Sequence, residues 1–214
     1  MKTRRERRQA LEEVDLYPVT GAEHSRGRGS EQIVEAVVAA GCRMVQLREK
    51  DLGKGALYRL ACRVREIAAD ILLIVNDHLD VALAAGADGV HLGREDLPVA
   101  AARRIAPELL VGASSHSLEQ ALEAQAAGAD YVNIGPIFPT GTKPHAGFLG
   151  PRAIAAIGPR LEVPFTVMGG IKEENIDEVL QAGARRVAVV TAVTAAADPE
   201  AAARRLREKI LAAG

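Results

Sequence analysis

One hydrophobic pattern recurs four times along the chain: a small-residue helix end passes through a glycine into a short apolar run. The copies are Ala39-Ala40-Gly41-Cys42 into Met44-Val45-Gln46-Leu47, Ala84-Ala85-Gly86-Ala87-Asp88 into Val90-His91-Leu92, Ala126-Ala127-Gly128-Ala129-Asp130 into Tyr131-Val132-Asn133-Ile134, and Gln181-Ala182-Gly183-Ala184 into Val187-Ala188-Val189-Val190. Glycine after a helix adopts the left-handed conformation that closes the last turn, and a β-branched run suits a strand covered on both faces. Each copy reads as a helix-to-strand junction. Further apolar runs at Leu16-Tyr17-Pro18-Val19-Thr20, Leu72-Leu73-Ile74-Val75, Leu109-Leu110-Val111-Gly112 and Phe165-Thr166-Val167-Met168 bring the strand candidates to eight, each followed by a segment of helical period. Strands alternating with helices predict an α/β protein with a parallel sheet, and eight of them close most naturally as a (β/α)8 TIM barrel.

Helix signals agree with this pattern. Proline opens a segment from Pro151 into Ala156, Ser115 or Ser117 can cap a helix running to Ala127, and a last helix is predicted from Asp198-Pro199 to about Leu211. A barrel of this type carries its chemistry on the loops after the C-terminal ends of its strands.

Composition narrows the function classes. The 214 residues are 48% hydrophobic, enough for one substantial core, and no linker-like stretch divides them, so 1–214 reads as a single domain with residues 1–12 as a frayed or surface-docked head. With 27 basic and 28 acidic residues there is no global field to recruit nucleic acid or an anionic membrane; small-molecule partners are expected, and homo-oligomerisation is left open. Cys42 and Cys62 form no metal or disulfide pattern, and no run approaches the ~20 apolar residues of a spanning helix, which points to the cytoplasm.

The polar residues collect at the predicted strand tips. Gln46-Leu47-Arg48-Glu49-Lys50 ends the second strand, and alternation sends Gln46, Arg48 and Lys50 to one side. Asn76-Asp77 ends the third strand and Glu95-Asp96 follows the fourth. Short carboxylates without His or Cys partners suit Mg2+, which uses one or two protein carboxylates and fills its shell with water and phosphate oxygens. The competing reading is that Asp77 and Asp96 cap the helices that follow. Gly112 to Ser117 reads as a hydroxyl-rich turn containing Ser114 and His116. After the sixth strand, Gly135 to Pro144 presents Thr140, Gly141, Thr142 and Lys143, and the length and glycines of 140–150 predict a loop that is mobile without ligand. Gly169-Gly170 and Val190-Thr191 end the last two strands, where barrels often hold a phosphate on backbone N–H groups. Two anion sites are therefore expected. One is cationic and metal-assisted (Arg48, Lys50, Asp77, Asp96, Ser114, Lys143), as a diphosphate requires; the other is built of backbone donors, as a monophosphate requires.

Q-L-R-E-K at 46–50, V-N-D at 75–77, the run from Asp80 to Pro98, G-A-D-Y-V-x-I-G-P-I-F-P-T-x-T-K at 128–143 and the glycine pair before Ile171 together resemble the thiamine phosphate synthase family in order and spacing. The resemblance spans about Leu16 to Val193. It implies condensation of a hydroxymethylpyrimidine diphosphate with hydroxyethylthiazole phosphate, giving thiamine phosphate and diphosphate. It further implies that Gln46, Leu47, Arg48, Glu49, Lys50, Asn76, Ser114 and Lys143 hold the pyrimidine diphosphate, with Arg48, Lys50, Ser114 and Lys143 acting in catalysis. Asp77 and Asp96 are implied to carry Mg2+, and Thr140, Gly141, Thr142, Gly170, Val190 and Thr191 to hold the thiazole phosphate. The implied mechanism is dissociative, with diphosphate leaving before the thiazole nitrogen captures the pyrimidine cation. The chain departs from the family pattern at Gly21, where aspartate is common, at His78, where arginine is usual, and at Thr191, where serine is common. The segment from Glu23 to Ser30 has no assigned counterpart. Alternatives are a thiazole tautomerase of the same fold, which shares a Ser-His-Ser turn like 115–117, and a barrel that binds pathway ligands without turnover.

Overall fold

Hydrogen-bond ladders join eight parallel strands into one sheet ordered β1-β8-β7-β6-β5-β4-β3-β2 in a computed structural model that describes residues 2–140 and 147–214. In chain order the elements are α1 (Arg4–Glu12), β1 (Leu16–Pro18), α2 (Ser30–Ala39), β2 (Met44–Leu47), α3 (Lys54–Ile67), β3 (Leu72–Asn76), α4 (Leu79–Ala84), β4 (Gly89–Leu92), α5 (Val99–Ile105), β5 (Leu110–Ser115), α6 (Leu118–Ala126), β6 (Tyr131–Ile134), α7 (Arg152–Ile157), β7 (Phe165–Val167), α8 (Ile176–Gln181), β8 (Val187–Val189), α9 (Thr191–Thr194) and α10 (Pro199–Ala212). A bridge between Val19 and Gln46 and the bond from Thr20 N–H to Gln46 C=O (2.9 Å) bring β1 to β2 and draw the ring together as a TIM barrel.

The four repeated glycines close helices as their position demands. Gly41, Gly86, Gly128 and Gly183 have φ of 78°, 64°, 97° and 103°, a conformation that costs a side-chain-bearing residue roughly 1–2 kcal/mol. Start signals also hold: the Ser117 hydroxyl accepts from Gln120 N–H at the head of α6, and Asp198 accepts from Ala201 N–H at the head of α10. The expected turn from Gly112 is instead strand as far as Ser115. Ladders on both flanks, Ala113 to Leu92 of β4 and Ser114 and Ser115 to Asn133 and Ile134 of β6, hold it extended.

Alternation along the strands sorts their side chains into two cores. Val45, Leu47, Leu73, Val75, Val90, Leu92, Val111, Val132, Ile134 and Val187 face the helices in one large buried cluster. Tyr17, Met44, Leu72, Ile74, Leu110, Tyr131 and Ala188 fill the barrel interior, closed by Leu11 of α1 and by Val14. The head is thus a helix docked on the barrel. Thr3 and Glu6 form a capping box at its start, and Arg7 is 3% exposed and paired with Asp88. Asp88 and Asp130, which precede the apolar runs of two repeat units, each turn a carboxylate back onto a neighbouring strand's N–H: Asp88 to Leu73 (3.0 Å) and Asp130 to Val111 (2.9 Å). Arginines surround both, Arg7 and Arg65 at Asp88, and Arg4, Arg8 and Arg103 at Asp130. One end of the barrel is therefore sealed by apolar packing and ion pairs, which leaves the strands' C-terminal end for chemistry.

Candidate active site

At that end opens a cavity of about 220 Å³. It is lined by inward-facing positions one or two residues beyond the apolar layer: Gln46, Asn76, His91, Ser114 and Asn133, with Met168 and Ala188. The loops add Arg48, His116, Thr140, Gly170 and Val190, and the start of α9 adds Thr191. Of the residues singled out in the sequence, Gln46, Arg48, Asn76, Ser114, Thr140, Gly170, Val190 and Thr191 thus line one space.

Others take different positions. Leu47 is fully buried among the helix-facing residues, so its side chain turns away from the cavity. The Glu49 carboxylate turns to the β1 loop, where it accepts from the Thr20 hydroxyl (3.1 Å), Ala22 N–H (3.1 Å) and the Ser30 hydroxyl. Thr20 is fully buried and accepts from Arg48 N–H (3.0 Å), so Glu49 ties the segment after β1 to the loop that carries Arg48. This gives part of the unassigned segment a structural role. Glu23 lies 3.8 Å from the Arg48 guanidinium, and Arg28 donates to the carbonyls of Ala196 (3.0 Å) and Ala197 (2.8 Å) beyond α9. Gly141, Thr142 and Lys143, and with them the expectation of a mobile loop, lie outside the described residues.

Neither aspartate caps a helix. His78 and Pro98 occupy the N-cap positions of α4 and α5, without side-chain caps, and Asp96 instead accepts from Gly93 N–H (2.7 Å). Asp77 holds a left-handed backbone (φ 61°), which asparagine and aspartate tolerate better than other side-chain-bearing residues. Its carboxyl is half-buried, and burial together with the neighbouring acid Asp96 pushes its pKa up to about 6, against the pull of Lys50 and His78. Two acids held against each other at this cost fit a divalent cation. Among the described residues no group of three or more His, Cys, Asp or Glu side chains is gathered to hold a metal. Two carboxylates with the remaining positions left to water and substrate oxygen match Mg2+ and not a closed zinc site. Asp96 borders a groove that shares Ser114 with the main cavity, so a cation there would lie beside the space lined by Arg48 and Asn76.

Across the cavity, Gly169 (φ 107°) and Gly170 (φ 64°) turn the backbone after β7. A Cβ on Gly170 would lie 2.4 Å from the Pro139 carbonyl oxygen, and Phe138 N–H donates to Gly169 C=O (2.9 Å). The β6 and β7 loops thus close over each other only because no side chain stands there.

His91, Asn133 and Met168 escaped the sequence reading of the site. Their signal is the strand alternation, which puts 91 with 89 and 133 with 131 on the inner face, but each sits inside an apolar run and not at a strand tip. Among them Asn133 accepts from the buried Thr166 hydroxyl (2.8 Å), which leaves its amide hydrogens for the cavity. His116 Nδ1 contacts the Gly135 carbonyl and pins the start of the β6 loop.

Fold and site together define a (β/α)8-barrel enzyme of the class that handles phosphorylated small molecules at the strand C-termini. The family model described as thiamine monophosphate synthase matches residues 16–193. A thiamine-phosphate synthase from Chloroflexus aurantiacus is 46% identical over 195 residues, 90% of each chain. One from Methanoculleus marisnigri is 47% identical over 203 residues, 93% of this chain and 96% of the relative. The solved thiamine phosphate pyrophosphorylase from Pyrococcus furiosus superposes with a TM-score of 0.88 at 36% identity, covering 96% of this chain and 98% of that one. A 3-hexulose-6-phosphate synthase, at 22% identity and TM-score 0.68, shares the fold alone. The chain belongs to the thiamine monophosphate synthase family.

Proposed function

We propose that this protein is a thiamine-phosphate synthase, a transferase that joins the methylene of a pyrimidine diphosphate to the nitrogen of a thiazole phosphate. The observation that carries the reading is one cavity bordered by two unlike sets of residues. Arg48, Asn76 and Ser114 stand on one side, next to the carboxylates Asp77 and Asp96, and the glycine turn at Gly170 with Val190 and Thr191 stands on the other.

In this reading Gln46 and Asn76 orient the pyrimidine by hydrogen bonds from the polar layer that floors the cavity. Arg48 and Lys50 bind the diphosphate, with Lys143 added from the β6 loop. The C–O bond to diphosphate breaks, its electrons leave with the diphosphate, and the thiazole nitrogen supplies the pair for the new C–N bond, so the chain needs no nucleophile or base of its own. Mg2+, held by Asp77 and Asp96, would supply Lewis-acid charge to the leaving group. Arg48 and Lys50 act in the same sense, because fixed positive charge aimed at developing negative charge is the largest common source of rate. Thr140, with Gly141 and Thr142, Gly170, Val190 and Thr191 would bind the thiazole phosphate.

We also place the protein in the cytoplasm. Cys42 and Cys62 are free thiols, and burial pushes the Cys42 thiol up to about 12, which keeps it unreactive; among the described residues no helix is long and apolar enough to cross a membrane.

The test is thiamine phosphate formation by the purified protein given both substrates, with Mg2+ and with a chelator in its place. Metal-dependent product is the expected result. No product from a folded protein in either condition, or isomerisation of the thiazole phosphate alone, overturns the synthase reading.

A further inference from the structure

A single file of hydrogen-bonded side chains runs across the barrel interior into the cavity. Gln46 Nε2 meets the Tyr17 hydroxyl at 2.7 Å, Tyr17 meets the Tyr131 hydroxyl at 3.0 Å, Tyr131 meets His91 Nδ1 at 3.1 Å, and His91 Nε2 meets the Ser114 hydroxyl at 2.9 Å. Five strands contribute, β1, β2, β4, β5 and β6, and the first three links are buried, with Tyr17 and Tyr131 at 1% and 0% exposure, while the last, at Ser114, is part-buried at the cavity. The file exists because β5 carries a glycine opposite Tyr131: a Cβ on Gly112 would lie 2.1 Å from Tyr131 Cζ, so the ring occupies space that any other residue would fill. The two phenols meet edge to face, with centroids 6.1 Å apart.

Proton inventory gives the file a direction. An amide nitrogen is a donor only, so Tyr17 accepts from Gln46 and has its own hydrogen left to give. Burial raises the ionisation of both phenols far above the ordinary range, so each keeps its proton. A buried hydroxyl hydrogen must find an acceptor, and among the described residues the one within reach of Tyr17 is the Tyr131 oxygen. Tyr131, having accepted, gives its hydrogen to His91 Nδ1. That nitrogen must therefore be bare, and the hydrogen of the neutral imidazole sits on Nε2, aimed at Ser114. The serine oxygen is thereby engaged as an acceptor, and its own hydrogen is turned to the cavity that Ser114 lines.

We infer that this one-way chain fixes His91 as the Nε2–H tautomer and makes Ser114 a hydrogen-bond donor to the ligand's oxygen atoms, with His91, Tyr131 and Tyr17 as positioning residues. The inference deepens the proposed function and rests on it for the identity of the ligand. A serine whose hydrogen went back to the histidine could only accept, and would face anionic oxygen with its lone pairs. Reversing Gln46, so that its oxygen met Tyr17, would reverse every link.

The tautomer is read from the histidine 15N shifts and long-range couplings of the labelled free protein, with His91 assigned from the spectrum of His91→Gln. A pyrrole-type Nε2 and a pyridine-type Nδ1 are expected. The opposite pattern overturns the inference, whatever the activity. Removing one hydroxyl with Tyr131→Phe, folding being checked by thermal melt, should populate both tautomers and lower kcat about tenfold with little change in KM, the effect of one neutral hydrogen bond on a transition state. In a Ser114→Ala background the same change should have no further effect, because it acts through the serine; additive losses in the double variant overturn the inference. Absence of turnover in the wild-type protein would count against the synthase reading alone, since the tautomer is read without substrate.

Discussion

Replacing Asp77 with asparagine should make the metal-free protein more stable while disabling it. The carboxyl's pKa rises from 3.8 to about 6 in the folded state, through burial and the facing Asp96. A folded-state pKa above the unfolded value means that the folded form binds the proton more tightly. The group therefore costs nothing below about pH 4, costs progressively more as pH rises from 4 to 6, and costs its full amount above. A rise from 3.8 to about 6 would correspond to ~3 kcal/mol for a fully buried group. Asp77 is only half-buried, and solvent screening reduces this to about 1–1.5 kcal/mol. Asparagine removes the charge, keeps the shape and tolerates the left-handed backbone at φ 61°, so the relief should not be offset by strain. In a domain of this size ~1–1.5 kcal/mol is worth roughly 3–5 °C. Thermal unfolding with chelator should show Asp77→Asn melting higher than the parent by that amount at pH 7.5 and equally at pH 4. At pH 7.5, Mg2+ should raise the parent's melting temperature and leave the variant's unmoved, and turnover should fall at least tenfold as metal affinity is lost. A variant no more stable than the parent at pH 7.5, or one whose advantage persists at pH 4, would refute the account of Asp77 and Asp96 as acids crowded together.

Three further changes probe other parts of the molecule. Arg7→Ala strips a buried partner from Asp88, which keeps Arg65 and Leu73 N–H; a loss of about 3 kcal/mol is expected by denaturant titration, with KM for both substrates unchanged, because the pair lies at the end of the barrel away from the cavity. Gly170→Ala sets a Cβ against the Pro139 carbonyl at positive φ and should raise KM for the thiazole phosphate more than tenfold while KM for the pyrimidine diphosphate changes little; equal effects on both would argue against a phosphate cradle there. Glu49→Gln leaves one acceptor oxygen where two served Thr20, Ala22 and Ser30. It should cost about 1–2 kcal/mol and raise KM for the pyrimidine diphosphate by loosening the loop that carries Arg48, an outcome read by steady-state kinetics.

The chain's own pattern determined the barrel. Four glycine-closed junctions and eight apolar runs are local signals, since a left-handed helix cap and a doubly covered strand are each written within a few residues, and the parallel order follows from strands and helices alternating. Much of the site was legible for the same reason: a strand tip is the residue after an apolar run, so Gln46, Arg48, Asn76 and Asp77 could be read off directly. Which way a tip residue faces depends on neighbours distant in sequence, and here the tertiary structure decided. Leu47 and Glu49 belong to the same five-residue motif as Gln46 and Arg48, yet one packs under the helices and the other holds the β1 loop. Ser114, expected in a turn, lies in β5, which ladders to β4 and β6 hold extended. The head, expected to be frayed or surface-docked, is docked through Leu11, which joins a buried cluster drawn from six strands. Most of all, the file from Gln46 to Ser114 joins five strands whose side chains meet only where the barrel closes. A hydrogen bond between residues 114 positions apart, as between Tyr17 and Tyr131, leaves no trace in local periodicity. Short-range physics set the elements and their order; closure of the ring, which brings far-separated polar groups within 3 Å of one another, set the site.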